Sequence, residues 1–267
     1  MVTGPTEAVA ALLDDPASAL IAVDFDGTLA AIVDRPEDAR PAVGAVAVLV
    51  ELARRVGGVA IISGRPADEV VRLAGLTPQS PIRVLGHYGL QRWRAGSLES
   101  PAPVTGVDLA RDRLSALVAG TDPGVRVEDK THSLAVHTRG AARPDEALEH
   151  LRADLVALAE EYDLEAVPGR YVIELRPSGS DKGGAVRRLV AELDSRTVIY
   201  IGDDLGDLPA YDAVDSLRRE SGVVGLTVAS VDPRDHDVPM EVRERADLVL
   251  AGPTAVVAWL HGLAAML

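Results

Sequence analysis

Short apolar segments alternate with helix-forming ones along most of this chain, and the alternation limits the folds that are open to it. The apolar segments are rich in Val, Ile and Leu and end near Gly, Pro or Asp, which predicts buried strands. They lie at Leu20–Phe25, Val59–Ile62, Arg83–Gly86, Val198–Gly202, Val223–Val228 and Asp247–Leu250. Helices are predicted between them at Pro41–Arg55, Pro66–Ala74, Asp181–Leu193, Leu205–Val214 and Pro253–Leu263. This pattern predicts an α/β fold with a doubly wound parallel sheet, covered by helices on both faces.

The middle third of the chain has a different order. A stretch rich in Gly, Ser and Pro at Ala95–Gly106 is followed by a helix, two strands, a second helix and two more strands. These segments are Val107–Val118, Val125–Asp129, Leu134–Thr138, Arg143–Tyr162, Leu164–Val167 and Tyr171–Leu175. The order predicts an inserted α/β cap domain with an antiparallel sheet. We expect a core domain made of residues 1–100 and 178–267, with the cap domain at residues 101–177.

Charge and composition argue against several classes of function. The chain carries 41 Asp and Glu against 27 Lys and Arg, a net charge of −14, which disfavours broad attraction to nucleic acid or anionic lipid. The absence of cysteine excludes disulfides, a thiolate nucleophile and a cysteine-ligated metal, and fits a reducing cytoplasm. No signal peptide or membrane-spanning run is evident. We expect a cytoplasmic monomer that binds neither nucleic acid nor a membrane.

Two carboxylates follow the first apolar segment, in the sequence D-F-D-G-T. Asp24 lies at the carboxyl end of the predicted strand, and Asp26 falls in a turn that Gly27 permits. Functional groups in parallel sheets gather at such strand ends. One interpretation is a turn-forming Asp pair in which Asp26 caps a helix. The other is a nucleophile beside an acid/base, with the repulsion between them relieved by a divalent cation.

Polar groups in three further segments favour the second interpretation. The strand ending at Ile62 runs into S-G-R-P, where the hydroxyl of Ser63 and backbone amides meet a helix start that favours an anion. Lys182 begins another helix, and an acidic run of Asp203, Asp204 and Asp207 follows a buried strand. Each segment alone is also explained by helix caps, turns and solvated charges. Their joint occurrence in this order predicts one functional crevice.

The four motifs D-F-D-G-T, I-S-G-R, D-K-G and G-D-D resemble those of the haloacid dehalogenase superfamily of aspartate-nucleophile phosphohydrolases. The resemblance implies a Rossmann-like core in which Asp24 attacks phosphorus and forms an aspartyl-phosphate. It implies that Asp26 protonates the leaving alkoxide and then activates water. The oxygens of the transferring group would be held by Ser63, Gly64 and Lys182.

The same resemblance implies a cofactor. Mg²⁺ would be bound by Asp24, by the backbone carbonyl of Asp26 and by Asp203, with Asp204 or Asp207 nearby. A cation between the carboxylates would explain why like charges are placed so close together. Phosphate monoesters hydrolyse extremely slowly without a catalyst, so concentrated charge neutralisation is expected.

Alternating charged residues mark the predicted cap strands. In R-V-E-D-K-T-H-S-L-A-V-H, an extended chain would place Glu128, Lys130 and His132 on one face. In Y-V-I-E-L-R-P, Glu174 and Arg176 would share a face in the same way. These positions fit the solvent face of an antiparallel sheet. They equally fit a surface that grips a polyhydroxylated ligand through paired donors and acceptors.

The run E-D-K-T-H-S-L-A-V-H, followed by E-L-R-P and D-K-G, is similar to the trehalose-6-phosphate phosphatase family over nearly the whole chain. That family removes phosphate from trehalose-6-phosphate with Mg²⁺, and Glu and Lys residues of its cap recognise the sugar. By motif position these would be Glu128 and Lys130, with Glu174 from the last cap strand. The resemblance therefore implies a sugar phosphate as substrate and the last step of trehalose biosynthesis.

Two motifs depart from the family pattern. The chain reads G-D-D-L-G-D-L where many members carry G-D-D-x-T-D-E, so Asp203 ranks above Asp207 as a metal ligand. It reads G-H-Y-G where members often have G-x-H-G, which displaces His87 by one position. We keep His87 as a substrate-side candidate, with Tyr88 as its possible replacement, and add Arg65 to the substrate-side residues.

Three other functions stay open at this point. The substrate could be a related disaccharide or pseudo-disaccharide phosphate, because nothing in the core motifs fixes the sugar. A phosphomannomutase would share the core, but the cap motifs argue against it. A non-catalytic sugar-phosphate sensor would need neither a nucleophile nor an acid, so the intact Asp24, Asp26, Lys182 and Asp203 argue against that function.

Overall fold

The computed structural model describes residues 4–33, 35–102, 104–169, 171–232 and 239–267. Contacts divide the chain into two units, one formed by residues 1–100 with 181–267 and the other by residues 101–180. The described residues contain twelve strands: β1 (Ala19–Val23), β2 (Gly58–Ile62), β3 (Arg83–Gly86), β4 (Gln91–Arg94), β5 (Ser97–Glu99), β6 (Arg126–Asp129), β7 (Leu134–His137), β8 (Leu164–Gly169), β9 (Val172–Pro177), β10 (Thr197–Gly202), β11 (Val224–Ser230) and β12 (Leu248–Leu250).

Nine α-helices lie in the described ranges. They are α1 (Pro5–Asp14), α2 (Ala45–Ala53), α3 (Ala67–Ala74), α4 (Thr105–Val118), α5 (Pro144–Glu161), α6 (Lys182–Leu193), α7 (Leu208–Glu220), α8 (Met240–Arg245) and α9 (Gly252–Met266). Short 3₁₀ turns occur at Pro16–Ser18, Pro36–Asp38, His87–Gly89 and Leu205–Asp207. None of these described helices combines the length and the apolar character that crossing a membrane requires.

The larger unit is built on an eight-stranded sheet in the order β12-β11-β10-β1-β2-β3-β4-β5. The first six of these strands are parallel, as the alternating sequence predicts. β1 lies near the centre, paired with β10 on one side and β2 on the other. Because every residue of β1, β2 and β10 is buried, these strands carry the apolar runs that mark a sheet covered on both faces.

The last two strands of this sheet were not predicted. β4 and β5 form an antiparallel hairpin on the edge next to β3, where the sequence indicated only a loop. The strands Q-R-W-R and S-L-E carry charged side chains, as edge strands of a sheet often do. In their turn, Ala95 and Gly96 have positive φ angles of 51° and 83°. Alanine rarely adopts this conformation, so its presence in the sequence does not predict such a turn.

Two apolar layers cover the faces of the sheet. Successive side chains of β1 point to opposite faces, so Ile21 and Val23 join one layer while Leu20 and Ala22 join the other. The first layer is completed by α1, α2, α3 and α9, and the second by α6, α7 and α8. This arrangement leaves the carboxyl ends of the strands as the place where polar side chains can gather.

The smaller unit has a four-stranded antiparallel sheet in the order β6-β7-β9-β8, packed against α4 and α5. One prediction about this sheet is wrong. β6 ends at Asp129 and the chain turns, with Thr131 at φ 70° and its N–H donating to Asp129 Oδ1 at 2.9 Å. The alternation therefore stops before His132, which is only 2% exposed and does not continue the face of Glu128.

Candidate active site

The two central strands of the large sheet end in acidic residues. The chain order runs outward from β1 on one side and from β10 on the other, so their carboxyl ends flank a topological switch point, where such sheets bind ligands. Asp24 follows β1, and its N–H donates to the carbonyl oxygen of Ile201 in β10 at 2.9 Å. Asp203 follows β10. Both carboxylates are buried, with 5% and 9% of each residue exposed.

One ammonium group lies among these carboxylates. Lys182 begins α6, which is capped by the Asp181 side chain accepting from the N–H of Gly184 at 2.6 Å. The Nζ of Lys182 lies 2.9 Å from Asp24 Oδ1 and 2.7 Å from Asp207 Oδ1. Burial lowers the pKa of Lys182, but the charges of Asp207 and Asp24 outweigh it and hold that pKa well above its ordinary value. Lys182 is therefore a fixed positive charge beside the proposed nucleophile.

Asp207 is saturated with hydrogen bonds. Its Oδ1 accepts from Lys182 Nζ at 2.7 Å and from the Tyr200 hydroxyl at 2.5 Å. Its Oδ2 accepts from the backbone N–H groups of Asp203 and Asp204, at 2.9 and 3.1 Å. Burial raises the pKa of Asp207, but Lys182 and the other donors outweigh it and lower the pKa below its ordinary value. Since a carboxylate offers about four lone-pair positions, Asp207 has none left for a cation.

The neighbouring carboxylates carry charge that the protein does not balance. Burial raises the pKa of Asp24 well above its ordinary value, and nearby aspartates add to this while Lys182 opposes it. Burial and the charge of Asp204 raise the pKa of Asp203 well above its ordinary value. Asp204 is exposed at the surface, but desolvation by the surrounding protein and the charge of Asp207 raise its pKa to about 6. A site with this much uncompensated negative charge is suited to a bound cation.

The turn after β1 is shaped around Asp203. Gly27 adopts φ 74°, and a Cβ at this position would collide with the Asp203 carboxylate. Next to it, Thr28 Oγ1 donates to Asp203 Oδ1 at 3.0 Å, and the Ser230 hydroxyl fixes the turn by donating to the Gly27 carbonyl at 2.7 Å. The glycine of D-F-D-G-T is therefore required both for its backbone conformation and for the close approach of a carboxylate.

Asp26 is held by an arginine. Arg65 Nε donates to Asp26 Oδ2 at 2.6 Å and Arg65 Nη2 to Asp26 Oδ1 at 2.8 Å, so both carboxylate oxygens are engaged. Arg65 Nη1 donates to Glu69 Oε1 at 2.7 Å. Burial lowers the pKa of Arg65, but the hydrogen bond and charge of Asp26 outweigh it and raise that pKa above its ordinary value. In this state Arg65 contacts the proposed acid/base through both carboxylate oxygens, each of which keeps a further lone-pair position.

The loop after β2 approaches a strained turn. Ser63 is buried and accepts from the N–H of Arg65 at 3.2 Å, and its carbonyl accepts from the N–H of Tyr88 at 3.0 Å. A Cβ at Gly64 would lie 2.7 Å from the Tyr88 hydroxyl oxygen. His87 is buried, whereas Tyr88 is half-buried, and both have positive φ. Of the two substrate-side candidates, Tyr88 is the one whose side chain lies against the predicted phosphate-binding loop.

The smaller unit brings its three predicted substrate residues together. Glu128 of β6 and Glu174 of β9 both pair with Ala135 of β7, so they share one face of the sheet. Lys130 Nζ lies 3.4 Å from Glu174 Oε1 and 3.9 Å from Glu128 Oε2. The Ser133 hydroxyl donates to Glu174 Oε1 at 2.5 Å. The turn at Lys130 thus produces the cluster that the strand alternation was expected to produce.

A family model described as trehalose-phosphatase matches residues 22–239. The chain belongs to the trehalose-phosphatase family. Among curated relatives, the trehalose-phosphate phosphatase of Mycobacterium marinum is 38% identical over 206 residues, which cover 72% of this chain and 50% of that protein. The corresponding protein of Mycobacterium avium is 37% identical over 202 residues, with the same coverage. This family member therefore spans about half the length of the curated relatives that it matches.

Solved structures confirm the fold. The C-terminal domain of Candida albicans trehalose-6-phosphate phosphatase superposes with a TM-score of 0.80 at 22% identity, covering 100% of this chain and 99% of that one. A haloacid dehalogenase-like hydrolase from Bacteroides thetaiotaomicron superposes with a TM-score of 0.64 at 15% identity, covering 92% and 99%. The family and fold predicted from the sequence motifs are both confirmed.

The donor set of this trehalose-phosphatase family member fits a hard divalent cation. Carboxylate oxygens of Asp24, Asp203 and Asp207 come within 4.8 Å of one another, and oxygen ligands are those that Mg²⁺ prefers. Within this group, the saturated oxygens of Asp207 make it a positioning residue. Asp24 and Asp203, whose charges are not balanced, are the better ligands.

Two residues with a place in this site were missed by sequence analysis. Tyr200 lies inside β10, where the sequence pattern indicates only a buried residue of the strand. Its hydroxyl nevertheless contacts Asp207. Thr28 belongs to the D-F-D-G-T motif, but its bond to Asp203 is made across 175 positions of the chain. Neither contact has a local signal, since each depends on which strands are neighbours.

Proposed function

We propose that this chain hydrolyses trehalose-6-phosphate to trehalose and phosphate, as the last step of trehalose biosynthesis. One observation carries the chemistry: a buried carboxylate, Asp24, ends the central strand beside a fixed ammonium group, Lys182 Nζ, at 2.9 Å. Membership of the trehalose-phosphatase family supports the substrate. The lack of cysteine supports a cytoplasmic location, and we propose that the protein acts as a monomer.

The reaction proceeds in two displacements. An Asp24 carboxylate oxygen attacks phosphorus, and the bond from phosphorus to the sugar oxygen breaks, which leaves an aspartyl-phosphate. Asp26 gives its proton to the leaving alkoxide and later takes a proton from the water that hydrolyses the intermediate, releasing phosphate and restoring Asp24. Lys182, Ser63 and the backbone of Gly64 hold the phosphoryl oxygens, because their donors offset the charge that develops there.

Asp26 has to leave Arg65 before it can act. Both of its oxygens accept from the guanidinium group, which supports a resting arrangement in which the proposed acid is paired with Arg65. Opening the pair frees Asp26 for the leaving group and frees Arg65 to contact the substrate. The bond from Arg65 to Glu69 keeps the guanidinium near the site when this happens.

Mg²⁺ is the proposed cofactor, held by Asp24, Asp203 and the backbone carbonyl of Asp26, with Asp204 nearby. When bound, the ion supplies Lewis-acid stabilisation of the phosphoryl oxygens and neutralises the carboxylates. Thr28 and Gly27 aim Asp203 at this position, since one donates to its carboxylate and the other leaves room for it.

The sugar is proposed to be recognised by Glu128, Lys130 and Glu174 of the smaller unit. The three side chains form one cluster of alternating charge, which supports binding of a polyhydroxylated ligand through paired donors and acceptors. The Ser133 hydroxyl positions Glu174, and His137 Nε2 lies 2.8 Å from Glu128 Oε2. His87 and Tyr88 stay candidates for the substrate side of the core.

The first test is phosphate release from trehalose-6-phosphate, glucose-6-phosphate and sucrose-6-phosphate by the purified protein, with Mg²⁺ and with a chelator. We expect strong, metal-dependent preference for trehalose-6-phosphate. Preference for sucrose-6-phosphate or another disaccharide phosphate would move the assignment to a related sugar. Binding of a sugar phosphate without release of phosphate would identify a sensor.

Two variants test the residue roles. Asp24→Asn should abolish turnover and keep the folded structure, and an active Asp24→Asn protein would contradict its role as nucleophile. Lys130→Met should reduce turnover of trehalose-6-phosphate far more than turnover of a small generic phosphate ester. The matched control is Lys182→Met, which should reduce both equally because it acts on the phosphoryl group. Equal losses for Lys130→Met would contradict its role in binding the sugar.

A further inference from the structure

The larger unit has a polar cavity at the edge hairpin of its sheet. It has a volume of about 170 Å³ and lies among the first residue of β3, the strands β4 and β5, and the last turn of α6. We call it the arginine pocket, because its charged lining consists of Arg83, Arg92, Arg94, Glu99 and Glu192. The chain as a whole has a net charge of −14, whereas this lining has more cations than anions.

Strand alternation explains why three arginines meet here. In the antiparallel pair of β3 and β4, Leu85 lies opposite Arg92. The same register, continued by two residues, places Arg83 opposite Arg94. Arg92 in turn pairs with Glu99 of β5. These residues therefore share one face of the hairpin, whereas Trp93 points to the other face and packs into the apolar layer.

The positive charge of the pocket is only partly balanced. Arg92 pairs with Glu192 at the end of α6. Within the described part of the chain, Arg83 and Arg94 form no ion pair, and the Nε of Arg83 is buried without a hydrogen-bond partner. Burial lowers the pKa of Arg83, and the charges of Arg94 and Arg92 add to this effect, while Glu192 opposes it. Arg83 therefore sits where a negative charge is missing.

We propose that the arginine pocket binds a phosphate dianion between Arg83 and Arg94, at a site separate from Asp24 and Lys182. Guanidinium groups present donors in a planar fork that matches phosphate oxygens, and Arg83 Nε supplies a buried donor with no other use. A phosphate would also give Arg83 and Arg94 an anionic partner, which neither has in an ion pair among the described residues.

The size and place of the pocket support this ligand. A water molecule occupies about 30 Å³ in the liquid, so 170 Å³ accommodates a phosphate group with part of its hydration or a small organic substituent. Arg83 begins β3, whereas Ser63 and Asp24 follow the carboxyl ends of the parallel strands beside it. The pocket therefore belongs to the opposite end of the sheet from the candidate active site.

Tryptophan fluorescence gives a local test. The chain has two tryptophans, and Trp259→Phe leaves Trp93, which stands in β4 between the pocket residues Arg92 and Arg94, as the single reporter. We expect inorganic phosphate to change the emission of Trp93 with saturation, at constant ionic strength kept by chloride. Glycerol-2-phosphate, a small phosphate ester, tests whether the natural source is free phosphate or an esterified one. Acetate, a monoanion, should bind at least tenfold more weakly than phosphate.

Variants in the same single-tryptophan background assign the response to the pocket. Arg83→Gln should weaken phosphate binding at least tenfold, and Arg83→Gln with Arg94→Gln should abolish the saturable change. Arg54→Gln removes the same charge from an exposed arginine after α2 and should leave binding unchanged. Lys182→Gln should also leave the response unchanged, because it alters only the candidate active site.

The proposal is overturned by any of three results. Equal weakening by Arg54→Gln would show that only the overall charge matters. Loss of the response in Lys182→Gln but not in Arg83→Gln would place the phosphate in the candidate active site. No saturable change with either phosphate compound in the folded Trp259→Phe protein would leave the arginine pocket without the proposed ligand. Each outcome is independent of whether trehalose-6-phosphate is hydrolysed.

Discussion

Tyr200 offers a sharp test of how the core site is held together. Its ring is fully buried, and its hydroxyl donates to Asp207 Oδ1 at 2.5 Å. The same oxygen accepts from Lys182 Nζ at 2.7 Å, and Lys182 lies 2.9 Å from Asp24. Tyr200→Phe removes one donor from this chain of contacts and keeps the volume of the ring.

The stability loss follows from the chemistry of that bond. A hydrogen bond to a charged group contributes about 1.5–3 kcal/mol to the free energy of unfolding. Asp207 keeps three other hydrogen-bond donors after the substitution, so its buried charge stays compensated. The loss in the free energy of unfolding should therefore be small for a bond of this kind, about 1–2 kcal/mol. For a chain of this size, such a loss lowers Tm by roughly 2–8 °C.

The kinetic effect separates positioning from packing. With one donor fewer, Asp207 binds Lys182 more strongly and draws its ammonium group away from Asp24. If Lys182 holds the transferring phosphoryl group as proposed, kcat should fall about three- to tenfold, which corresponds to roughly 0.7–1.4 kcal/mol of transition-state stabilisation. The KM should change less than kcat, because the sugar-binding residues are untouched. Mg²⁺-dependent phosphate release and thermal unfolding, measured on the same preparation, give both numbers.

Tyr211→Phe is the matched control. Tyr211 is equally buried and packs edge-to-face on Tyr200, with ring centres 6.1 Å apart, but its hydroxyl donates to the backbone carbonyl of Val228 at 2.9 Å. Its loss should lower stability by about 1 kcal/mol and leave kcat unchanged. Equal kcat values for both variants would refute the role of Tyr200 in positioning Lys182. An unchanged Tm in Tyr200→Phe would refute the hydrogen-bond energy that we assign.

Two further substitutions test other parts of the structure. Gly27→Ala should weaken Mg²⁺ binding at least tenfold in a calorimetric titration, because the new methyl group displaces the Asp203 carboxylate. Gly75→Ala is its control, since Gly75 has a similar φ of 63° in open space, and it should cost only backbone strain, about 1 kcal/mol, with Mg²⁺ affinity unchanged. Asp122→Ala should destabilise the smaller unit at pH 7, because two backbone N–H groups lower the pKa of Asp122 in the folded state. That contribution is complete above the unfolded pKa near 3.8 and is lost as the pH falls below 3.8 through the lower folded-state pKa, so wild-type and variant stabilities, measured by urea unfolding, should converge in that range.

The sequence predicted those parts of the site whose signal is local. Asp24, Ser63 and Asp203 each follow an apolar run, so a strand-end position could be assigned from the pattern alone. Lys182 follows a capping Asp, which marked the start of α6. The order of strands in the sheet then brings the ends of β1, β2 and β10 to one edge of the sheet, and that order is typical of doubly wound folds.

The parts that sequence analysis missed depend on tertiary contacts or on rare turns. The hairpin of β4 and β5 is too polar to resemble a core strand, and it turns through Ala95, a residue with little preference for positive φ. His132 was placed on the wrong face because Thr131 reverses the chain through a left-handed conformation. The bond between Arg65 and Asp26 joins residues 39 positions apart, and no local pattern indicates it.

The pKa values divide the buried carboxylates by role. Asp207 is the member of the cluster with a lowered pKa, and it is also the one with four hydrogen-bond donors. Asp24 and Asp203 have raised values because burial and like charges act on them with fewer donors to compensate. When their surroundings give neighbouring carboxylates different pKa values in this way, the difference separates structural groups from reactive ones. The charge that Asp207 contributes is used within the protein to fix Lys182, whereas Asp24 and Asp203 are the carboxylates that we propose as nucleophile and cation ligand.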